Sequence, residues 1–387
     1  MSLDLALAVL AAASAGIVAW VYVGYPAALL LLGALRPRPR LREPVRVPVS
    51  VVIAAHDEGA MIAEKVADVR RTAFPAELVQ VVVASDGSTD ATVEEARRAG
   101  ADVVLDLPRV GKITALEAAV EAATGEMLVF SDADARWLPD SLPQLMSAFA
   151  DPLVGGVSCA EVSTVPEGAD ADAVGRGEGL YWRYEQWIKD LEDRIGSTVS
   201  ASGRLYAIRR SLFVPGYARA STDDFAISTA ILRAGHRLAF DRRALVYVEG
   251  PDRGSGELRR KVRVMNRGLR GALGLGRLLN PLHGGGLAIQ ILSHKILRRL
   301  VPFFLLLLLA ASAWLTARQG EAWLLLAPQL AFYGLAIAGW AGRRRAWGRA
   351  KPLYVPYYFC LANLAAALAV ISIARGVRFE TWRPTRA

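Results

Sequence analysis

The sequence predicts an α/β domain with a mostly parallel sheet, combined with transmembrane α-helices. Three observations support this fold class. Hydrophobic residues make up 53% of the 387 positions, more than an ordinary soluble enzyme carries. Long apolar runs lie towards both ends of the chain, and between them short β-branched runs alternate with amphipathic helical patterns. The length therefore accommodates one domain of about 200 residues plus membrane helices.

The first predicted element is a transmembrane helix over residues 1–36. The uncharged run from Leu5 to Leu35 has 31 residues, whereas about 20 suffice to cross a membrane. A signal peptide would have an apolar core of about 7–15 residues after a positive start, but here Asp4 precedes the run. We therefore expect a retained helix. Five arginines between positions 36 and 46 follow it, so the following domain is expected to face the cytoplasm.

Residues 45–255 are predicted to form the α/β domain. Four runs have the near-continuous apolar character of buried parallel strands, and three amphipathic segments lie between them. The strands are Val49–Ala55, Val79–Ala84, Val103–Asp106 and Met127–Phe130, and the helices are Ala60–Arg71, Ala91–Ala99 and Ile113–Ala123. In open α/β sheets ligands bind beyond the carboxyl ends of the strands, so functional residues are expected there.

Acidic residues follow three of the four predicted strands. Asp57 and Glu58 follow the first, Asp86 follows the second, and Asp132 and Asp134 follow the fourth. A single acidic turn of this kind often only caps the next helix. Three acidic turns at one sheet edge favour a binding site instead.

The pair Asp132 and Asp134 is a candidate metal site. If strand geometry persists there, residues two apart lie on one side of the backbone. Two carboxylates suit Mg²⁺ or Mn²⁺ held jointly with substrate phosphates, and such an ion would neutralise a diphosphate leaving group. Lys112, before a predicted helix, is a candidate for contacting the diphosphate. The alternative for Lys112 is a solvated lysine in the first helical turn.

Asp223 and Asp224 precede a predicted helix from Ala226 to Ala234. These acids have two interpretations. They are either first-turn residues that stabilise the positive end of the helix dipole, or one of them is a general base that takes a proton from an attacking hydroxyl group.

The remaining regions are basic or apolar. The formal net charge is +9, and residues 256–299 concentrate it beside apolar runs, which favours anionic lipid headgroups over nucleic acid. Within this region Ile289, Leu292, Ile296 and Leu300 recur at helical spacing, which predicts an interfacial amphipathic helix or, alternatively, the start of a membrane helix. Three spans are predicted within residues 300–375: Leu300–Ala317, Ala322–Gly342 and Leu353–Ala374. Four spans place the basic tail, 376–387, outside, whereas its charge favours the inside.

The motifs together resemble the family 2 inverting glycosyltransferases with the GT-A fold. They are the acids after the first strand, Ser-Asp-Gly-Ser-Thr-Asp at 85–90, Gly-Lys at 111–112, Ser-Asp-Ala-Asp at 131–134 and Thr-Asp-Asp at 222–224. With one membrane helix before the domain and three after it, the chain looks most like the poly-N-acetylglucosamine synthase group, within the cellulose and hyaluronan synthase branch.

The resemblance implies a role for each matching residue. It implies that Asp57, Glu58 and Asp86 hold the nucleoside, that Lys112 lies near the pyrophosphate, and that Asp134 binds the metal directly beside Asp132. It further implies that Asp224 is the catalytic base. The residues that it places at the acceptor side are Ser202, Gly203 and Asp223.

One departure from the family concerns chain elongation. Processive relatives carry Gln-x-x-Arg-Trp after the base, but here residues 260–268 contain no tryptophan. By the resemblance, Arg263 would still meet the donor diphosphate. The absent tryptophan argues against long-chain polymerisation.

The sequence therefore predicts a membrane-bound glycosyltransferase of the bacterial inner membrane. Its expected donor is a nucleotide-diphospho-sugar, a UDP-sugar by preference, and its acceptor a lipid-linked or growing glycan. Other expected partners are membrane lipids and a second copy or an export protein, but not nucleic acid. The alternatives are a processive polysaccharide synthase, a nucleotidyltransferase and a non-enzymatic scaffold.

Overall fold

The computed structural model describes residues 2–163, 173–216, 221–248, 257–320 and 322–379. The chain divides into two compact units. The sheet unit comprises Gly33–Thr164, Gln186–Glu249 and Glu380–Ala387, and the helical unit comprises Met1–Leu32, Val165–Glu185 and Gly250–Phe379. The predicted basic tail lies mostly outside the described residues.

The elements are numbered in chain order. The strands are β1 Val49–Ala55, β2 Val79–Asp86, β3 Val103–Leu107, β4 Met127–Ser131, β5 Ala135–Trp137, β6 Val154–Ser163, β7 Leu205–Arg209 and β8 Arg237–Val248. The α-helices are α1 Leu3–Ala19, α2 Tyr25–Leu35, α3 Gly59–Arg70, α4 Thr92–Arg98, α5 Lys112–Glu121, α6 Ser141–Ser147, α7 Ala173–Ile195, α8 Asp223–Arg233, α9 Glu257–Leu273, α10 Pro281–Ile291, α11 Arg298–Gln319, α12 Trp323–Ala341 and α13 Lys351–Ala374.

The sheet unit is built on one mixed, mostly parallel sheet with strand order β3-β2-β1-β4-β7-β6-β8-β5. The strands β3, β2, β1 and β4 pair in parallel, whereas β7 is antiparallel to both β4 and β6. The structure contains the four strands that the sequence predicts. Because β1, β2 and β4 are parallel, the acids that follow them lie at one edge of the sheet.

A buried apolar layer fixes that edge. Every residue of β1 is buried, as nonpolar strands in the centre of a parallel sheet should be. Helix α3 turns Ile62, Val66 and Val69 towards this core at the i, i+4, i+7 spacing of one helix face. Burying one such side chain contributes about 1.5–3 kcal/mol. The loops after the strands are therefore attached to a well-packed base.

The helical unit supplies the membrane segments. Four helical segments among the described residues are long and apolar enough to cross a membrane by length and composition: Leu3–Leu35, Pro281–Arg318, Trp323–Ala341 and Lys351–Ala374. They correspond to the four predicted spans. A π-helical turn, Trp20–Gly24, joins α1 to α2, and a second, Leu292–Leu297, joins α10 to α11.

The segment around residues 289–300 is not a helix separate from α11 in the structure. It runs continuously into α11, as the alternative interpretation had it. The physical reason is that its cations have a partner within the helical unit. Glu185 accepts from Arg298 Nη1 at 2.6 Å, and its other oxygen lies 3.4 Å from Lys295 Nζ. These side chains therefore do not depend on lipid headgroups for a counter-charge.

The strongly amphipathic helix of the basic region is α9. Met265 packs against Ala365, Ala366 and Ala369 of α13. Beside this contact, Lys261 donates to the Tyr358 hydroxyl at 2.8 Å. One face of α9 is thus held by α13 inside the helical unit.

Candidate active site at the carboxyl edge of the sheet

The loop after β1 has a constrained backbone at Asp57. Its φ is +53°, a left-handed conformation that aspartate tolerates better than most side chains. Asp57 Oδ1 accepts from Thr89 N at 2.7 Å, and Asp57 N donates to Ser88 Oγ at 3.1 Å. The loops that follow β1 and β2 are therefore joined through Asp57.

Glu58 continues this connection. Its backbone nitrogen donates to Thr92 Oγ1 at 2.8 Å, and the next nitrogen, of Gly59, donates to Asp90 Oδ2 at 2.9 Å. Asp90 also accepts from Thr92 N at the start of α4. Asp90, the last acid of the Ser-Asp-Gly-Ser-Thr-Asp segment, thus caps the starts of α3 and α4. The Glu58 side chain is half-buried at the edge of the sheet.

Asp86, at the end of β2, binds the backbone of the loop that precedes α5. It is fully buried, and its Oδ1 accepts from Val110 N at 2.7 Å and Gly111 N at 2.8 Å. Arg109 Nη1 lies 3.2 Å from Oδ2. In this structure Asp86 therefore fixes the loop that leads to α5. A nucleotide that also bound Asp86 would share this carboxylate with the loop.

That loop positions Lys112. Gly111 has φ +93°, which favours glycine, and it precedes Lys112 at the first position of α5. Lys112 Nζ lies 2.7 Å from Asp132 Oδ1 and 2.9 Å from Asp223 Oδ2. Burial lowers the pKa of Lys112, but the two carboxylates outweigh burial and raise it above its ordinary value. Lys112 is thus a charged link between the two acidic motifs, not a solvated lysine.

The segment Asp132–Asp134 is a turn. The condition under which the two acids would lie on one side of a strand is not met, because β4 ends at Ser131 and β5 begins at Ala135. Both carboxylates nevertheless face one cation. Arg204 Nη1 contacts Asp134 Oδ1 and lies 3.8 Å from Asp132 Oδ2. The two acids therefore face a common point despite the turn.

Sequence reasoning missed two cations that support this turn. Arg204 follows the Ser202-Gly203 segment, and Lys65 lies on α3, fully buried. Lys65 Nζ donates to the carbonyl oxygen of Ala135 at 2.8 Å and lies 4.2 Å from the centroid of the Trp137 ring. Burial lowers the pKa of Lys65 to about 7. The available signal was a lysine on the apolar face of α3, directly before Val66.

The acids of the turn suit a metal ion that is shared with a ligand. Burial raises the pKa of Asp132, but Lys112 and Arg204 outweigh it, so that pKa is lowered and the group is ionised. No group of three or more His, Cys, Asp or Glu residues that could hold a metal ion is found within the described ranges. Mg²⁺ is commonly held by one or two carboxylates plus substrate phosphates, and Asp132 and Asp134 fit that pattern.

Asp224 lies in the first turn of α8, next to Asp223. Burial raises the pKa of Asp224, and the negative charge of Asp223 raises it further, while a hydrogen bond from Thr222 opposes both. A side chain at position 203 would begin 3.6 Å from Asp224 Oδ2. Gly203 therefore leaves one side of this carboxylate open.

Ser202 connects the same loop to Glu161, a half-buried acid. Its hydroxyl hydrogen-bonds with Glu161 Oε1, and its backbone nitrogen donates to Ser158 Oγ at 3.0 Å. Burial raises the pKa of Glu161. Ser202 is itself buried, so it fixes the loop beside Gly203. Glu161 is a further residue that the motif search did not identify.

Arg263 is the one predicted site residue that lies outside the sheet unit. It is on α9 of the helical unit. Burial and the nearby cations Arg267 and Arg260 lower its pKa. Its contact with a donor diphosphate stays a prediction.

Comparisons with known proteins give similarities in sequence and in fold. Residues 50–210 match the family model described as Glycosyl transferase family 2. This match covers less than half of the chain. The GT-A fold, with a mostly parallel sheet, confirms the predicted fold class.

Two similar proteins illustrate the match. Glycosyltransferase AglD of Haloferax volcanii is 37% identical over 105 residues, which cover 25% of this chain and only 17% of that relative. The mannosyltransferase PcManGT from Pyrobaculum calidifontis, solved in complex with GDP-Man and Mn²⁺, is 22% identical. It has a TM-score of 0.71, with 94% of this chain and 98% of that chain covered. The fold of PcManGT is thus similar along nearly the whole chain. The predicted synthase branch stays a prediction.

Proposed function

We propose that this protein is a membrane-bound, metal-dependent inverting glycosyltransferase. The observation that carries the proposal is the position of Lys112. It joins Asp132, in the candidate metal turn, to Asp223, which adjoins the candidate base Asp224. A sugar donor with its diphosphate at Lys112 would therefore have a metal site and a base within one cluster.

The residues divide the transfer between them. Asp224 removes the proton from the acceptor hydroxyl as its oxygen forms a bond to the anomeric carbon. The bond from that carbon to the diphosphate oxygen breaks on the opposite face, so the configuration inverts and the electron pair goes to the nucleoside diphosphate. Lys112 contributes a fixed positive charge for the departing group. A divalent ion bound by Asp132 and Asp134 would add Lewis-acid stabilisation of the same charge.

The raised pKa of Asp224 suits a base. A carboxylate whose pKa is raised by burial binds a proton more strongly than an ordinary aspartate, yet it is still ionised in the neutral range as long as its pKa stays below the working pH. Gly203 lies beside this carboxylate and carries no side chain, so a hydroxyl group could approach from that side. We infer that the acceptor enters past Ser202 and Gly203.

The donor is a nucleotide-diphospho-sugar. The sequence favoured a UDP-sugar, and the similarity to a protein solved with GDP-Man makes GDP-mannose the second donor to test. The acceptor is a lipid-linked or growing glycan, for which the four apolar helices would give access from the membrane. We propose the bacterial inner membrane as the location, with the sheet unit on the cytoplasmic side.

The decisive experiment compares the parent with Asp224→Asn in detergent. Both are supplied with Mn²⁺, a panel of UDP- and GDP-sugars and a polyprenyl-phosphate or glycolipid acceptor, and release of nucleoside diphosphate is measured. Removal of a general base usually costs about 10²- to 10⁴-fold in rate. Asp140→Asn is the matched control, because Asp140 is exposed and its side chain does not cap α6.

Full activity in Asp224→Asn with every donor used by the parent would refute the assignment of the base. Release of pyrophosphate from a nucleoside triphosphate and a sugar phosphate would identify a nucleotidyltransferase instead. Product mass separates a single transfer from polymer synthesis.

A further inference from the structure

We propose that Arg204 strengthens the dependence of divalent-metal binding on the nucleotide, because its guanidinium group binds Asp134, a proposed ligand of the metal. This inference rests on the proposed function, since it concerns the metal and diphosphate of the same site. It assigns a positioning role to a residue that the family motifs do not include.

Arg204 faces both proposed metal ligands. Arg204 Nη1 binds Asp134 Oδ1 and lies 3.8 Å from Asp132 Oδ2, so one cation faces both carboxylates. The side chains of Arg204, Asp132 and Asp134 are about three-quarters buried, with 27%, 26% and 26% of their surface exposed. An ion pair with this degree of burial is screened less than one on the open surface. Arg204 thus supplies one positive charge to the two proposed metal ligands.

The backbone of Arg204 is anchored by two hydrogen bonds. Ser131 Oγ, at the end of β4, donates to the carbonyl oxygen of Arg204 at 2.9 Å, and Arg204 N donates to Ser202 Oγ at 3.4 Å. The backbone of Arg204 is therefore held between the turn and the acceptor-side loop. Only its side chain is free to change partner.

A divalent metal ion would compete with Arg204 for Asp134. A divalent ion at Asp134 Oδ1 would replace the guanidinium group there, and the two cations would repel each other at such short range. Displacement takes the closest counter-charge from a partly buried guanidinium group and leaves it the electrostatic attraction of Glu161. The diphosphate of the nucleotide is the anion that could replace Asp134, because guanidinium groups bind phosphate oxygens well. Metal alone therefore binds weakly, and metal with nucleotide binds strongly.

Lys112 is not equivalent to Arg204 in this respect. It contacts Asp132 and Asp223, and no contact with Asp134 is found for it among the described residues. When a metal occupies Asp134, Lys112 retains Asp223 as a partner. The part of the nucleotide dependence that comes from competition at Asp134 is accordingly assigned to Arg204.

The test measures Mn²⁺ binding directly, without turnover. The full chain in detergent is titrated with Mn²⁺, and free Mn²⁺ is followed by electron paramagnetic resonance, first alone and then with UDP or GDP. Asp134→Ala with the same nucleotide gives the baseline for Mn²⁺ bound by nucleotide alone. We expect Arg204→Gln to bind Mn²⁺ alone about fivefold more tightly than the parent. Its gain in Mn²⁺ affinity on adding nucleotide should be smaller than that of the parent, because the competing cation is removed while the phosphate ligands of the metal remain.

A second variant, Arg204→Lys, is the control for charge. It retains a positive charge and should bind Mn²⁺ alone nearly as weakly as the parent. Tighter binding of Mn²⁺ in Arg204→Gln but not in Arg204→Lys would therefore show that the positive charge opposes the metal. An unchanged or weaker affinity of Arg204→Gln for Mn²⁺ alone, in a protein whose parent binds Mn²⁺ with nucleotide, would overturn the inference. No Mn²⁺ binding by the parent with either nucleotide would instead refute the metal site of the proposed function, and this inference with it.

Discussion

Two charged clusters, one in each unit, have opposite balances of charge. At the edge of the sheet unit, four carboxylates lie close together, and two cations, Lys112 and Arg204, pair with three of them. The carboxylates are Asp132, Asp134, Asp223 and Asp224. In the helical unit, one carboxylate, Glu185, contacts His294, Lys295 and Arg298.

We expect the two clusters to have different roles, cation binding for the acidic edge and structural support for the Glu185 cluster. The Glu185 cluster satisfies its acid with protein cations, and both His294 and Glu185 are buried, so it behaves as a link between α7 and the start of α11. The acidic edge has more negative than positive charge and is partly open. An excess of acids that the protein does not neutralise is the usual property of a site that binds cations. The comparison therefore predicts opposite responses to removal of a carboxylate.

The largest effect is expected for Glu185→Ala. Removing Glu185 leaves Arg298 and Lys295 near each other with no carboxylate between them, and breaking a buried ion pair in this way costs about 3–5 kcal/mol. Thermal or denaturant unfolding in detergent should show this loss. Glu185→Gln retains an acceptor oxygen and should lose less, and the exposed Glu94→Ala should change stability by less than about 0.5 kcal/mol. Equal stability of the parent and Glu185→Ala would show that this cluster is not a structural link.

The opposite sign is expected for Asp224→Asn. The pKa of Asp224 is raised in the folded protein, so at neutral pH its ionised form lowers stability. Asparagine removes that charge and should raise the free energy of unfolding at pH 7 by about 0.5–2 kcal/mol, while activity falls. The gain should disappear below about pH 3.9, where aspartate is protonated in the unfolded chain as well. A loss of stability at pH 7 would mean that Asp224 is needed for folding.

The sequence predicted the half of the sheet in which strands and helices alternate. Strands β1 to β4 have strong β-branched runs, and the acids at their ends follow from the parallel topology. Strands β5 to β8 were not predicted, because β5 has only three residues and β7 pairs antiparallel with strands distant in sequence. Such pairing is determined by tertiary contacts and not by a local pattern.

The sequence identified the acids and Lys112 that lie at this edge, but it did not identify two further cations. Asp132, Asp134 and Asp224 were identified from motifs of adjacent residues. Lys65 and Arg204 were not, because each reaches the turn from a distant segment of the chain, α3 or the start of β7. No spacing along the sequence reports such a contact. The turn geometry of residues 132–134 was also unpredictable, since β4 and β5 are separated by only these residues.

The smallest effect, and the most specific, concerns the pH profile of transfer. The acid limb of kcat/KM reports the pKa of the essential base in the free enzyme. Asp223→Asn removes the negative charge that raises the pKa of Asp224, so activity should persist to lower pH than in the parent. Thr222→Val removes a hydrogen bond that lowers the same pKa, so its acid limb should move to higher pH. Opposite shifts would identify Asp224 as the titrating base, whereas identical limbs in all three proteins would assign the titration to another group, such as the acceptor or the donor.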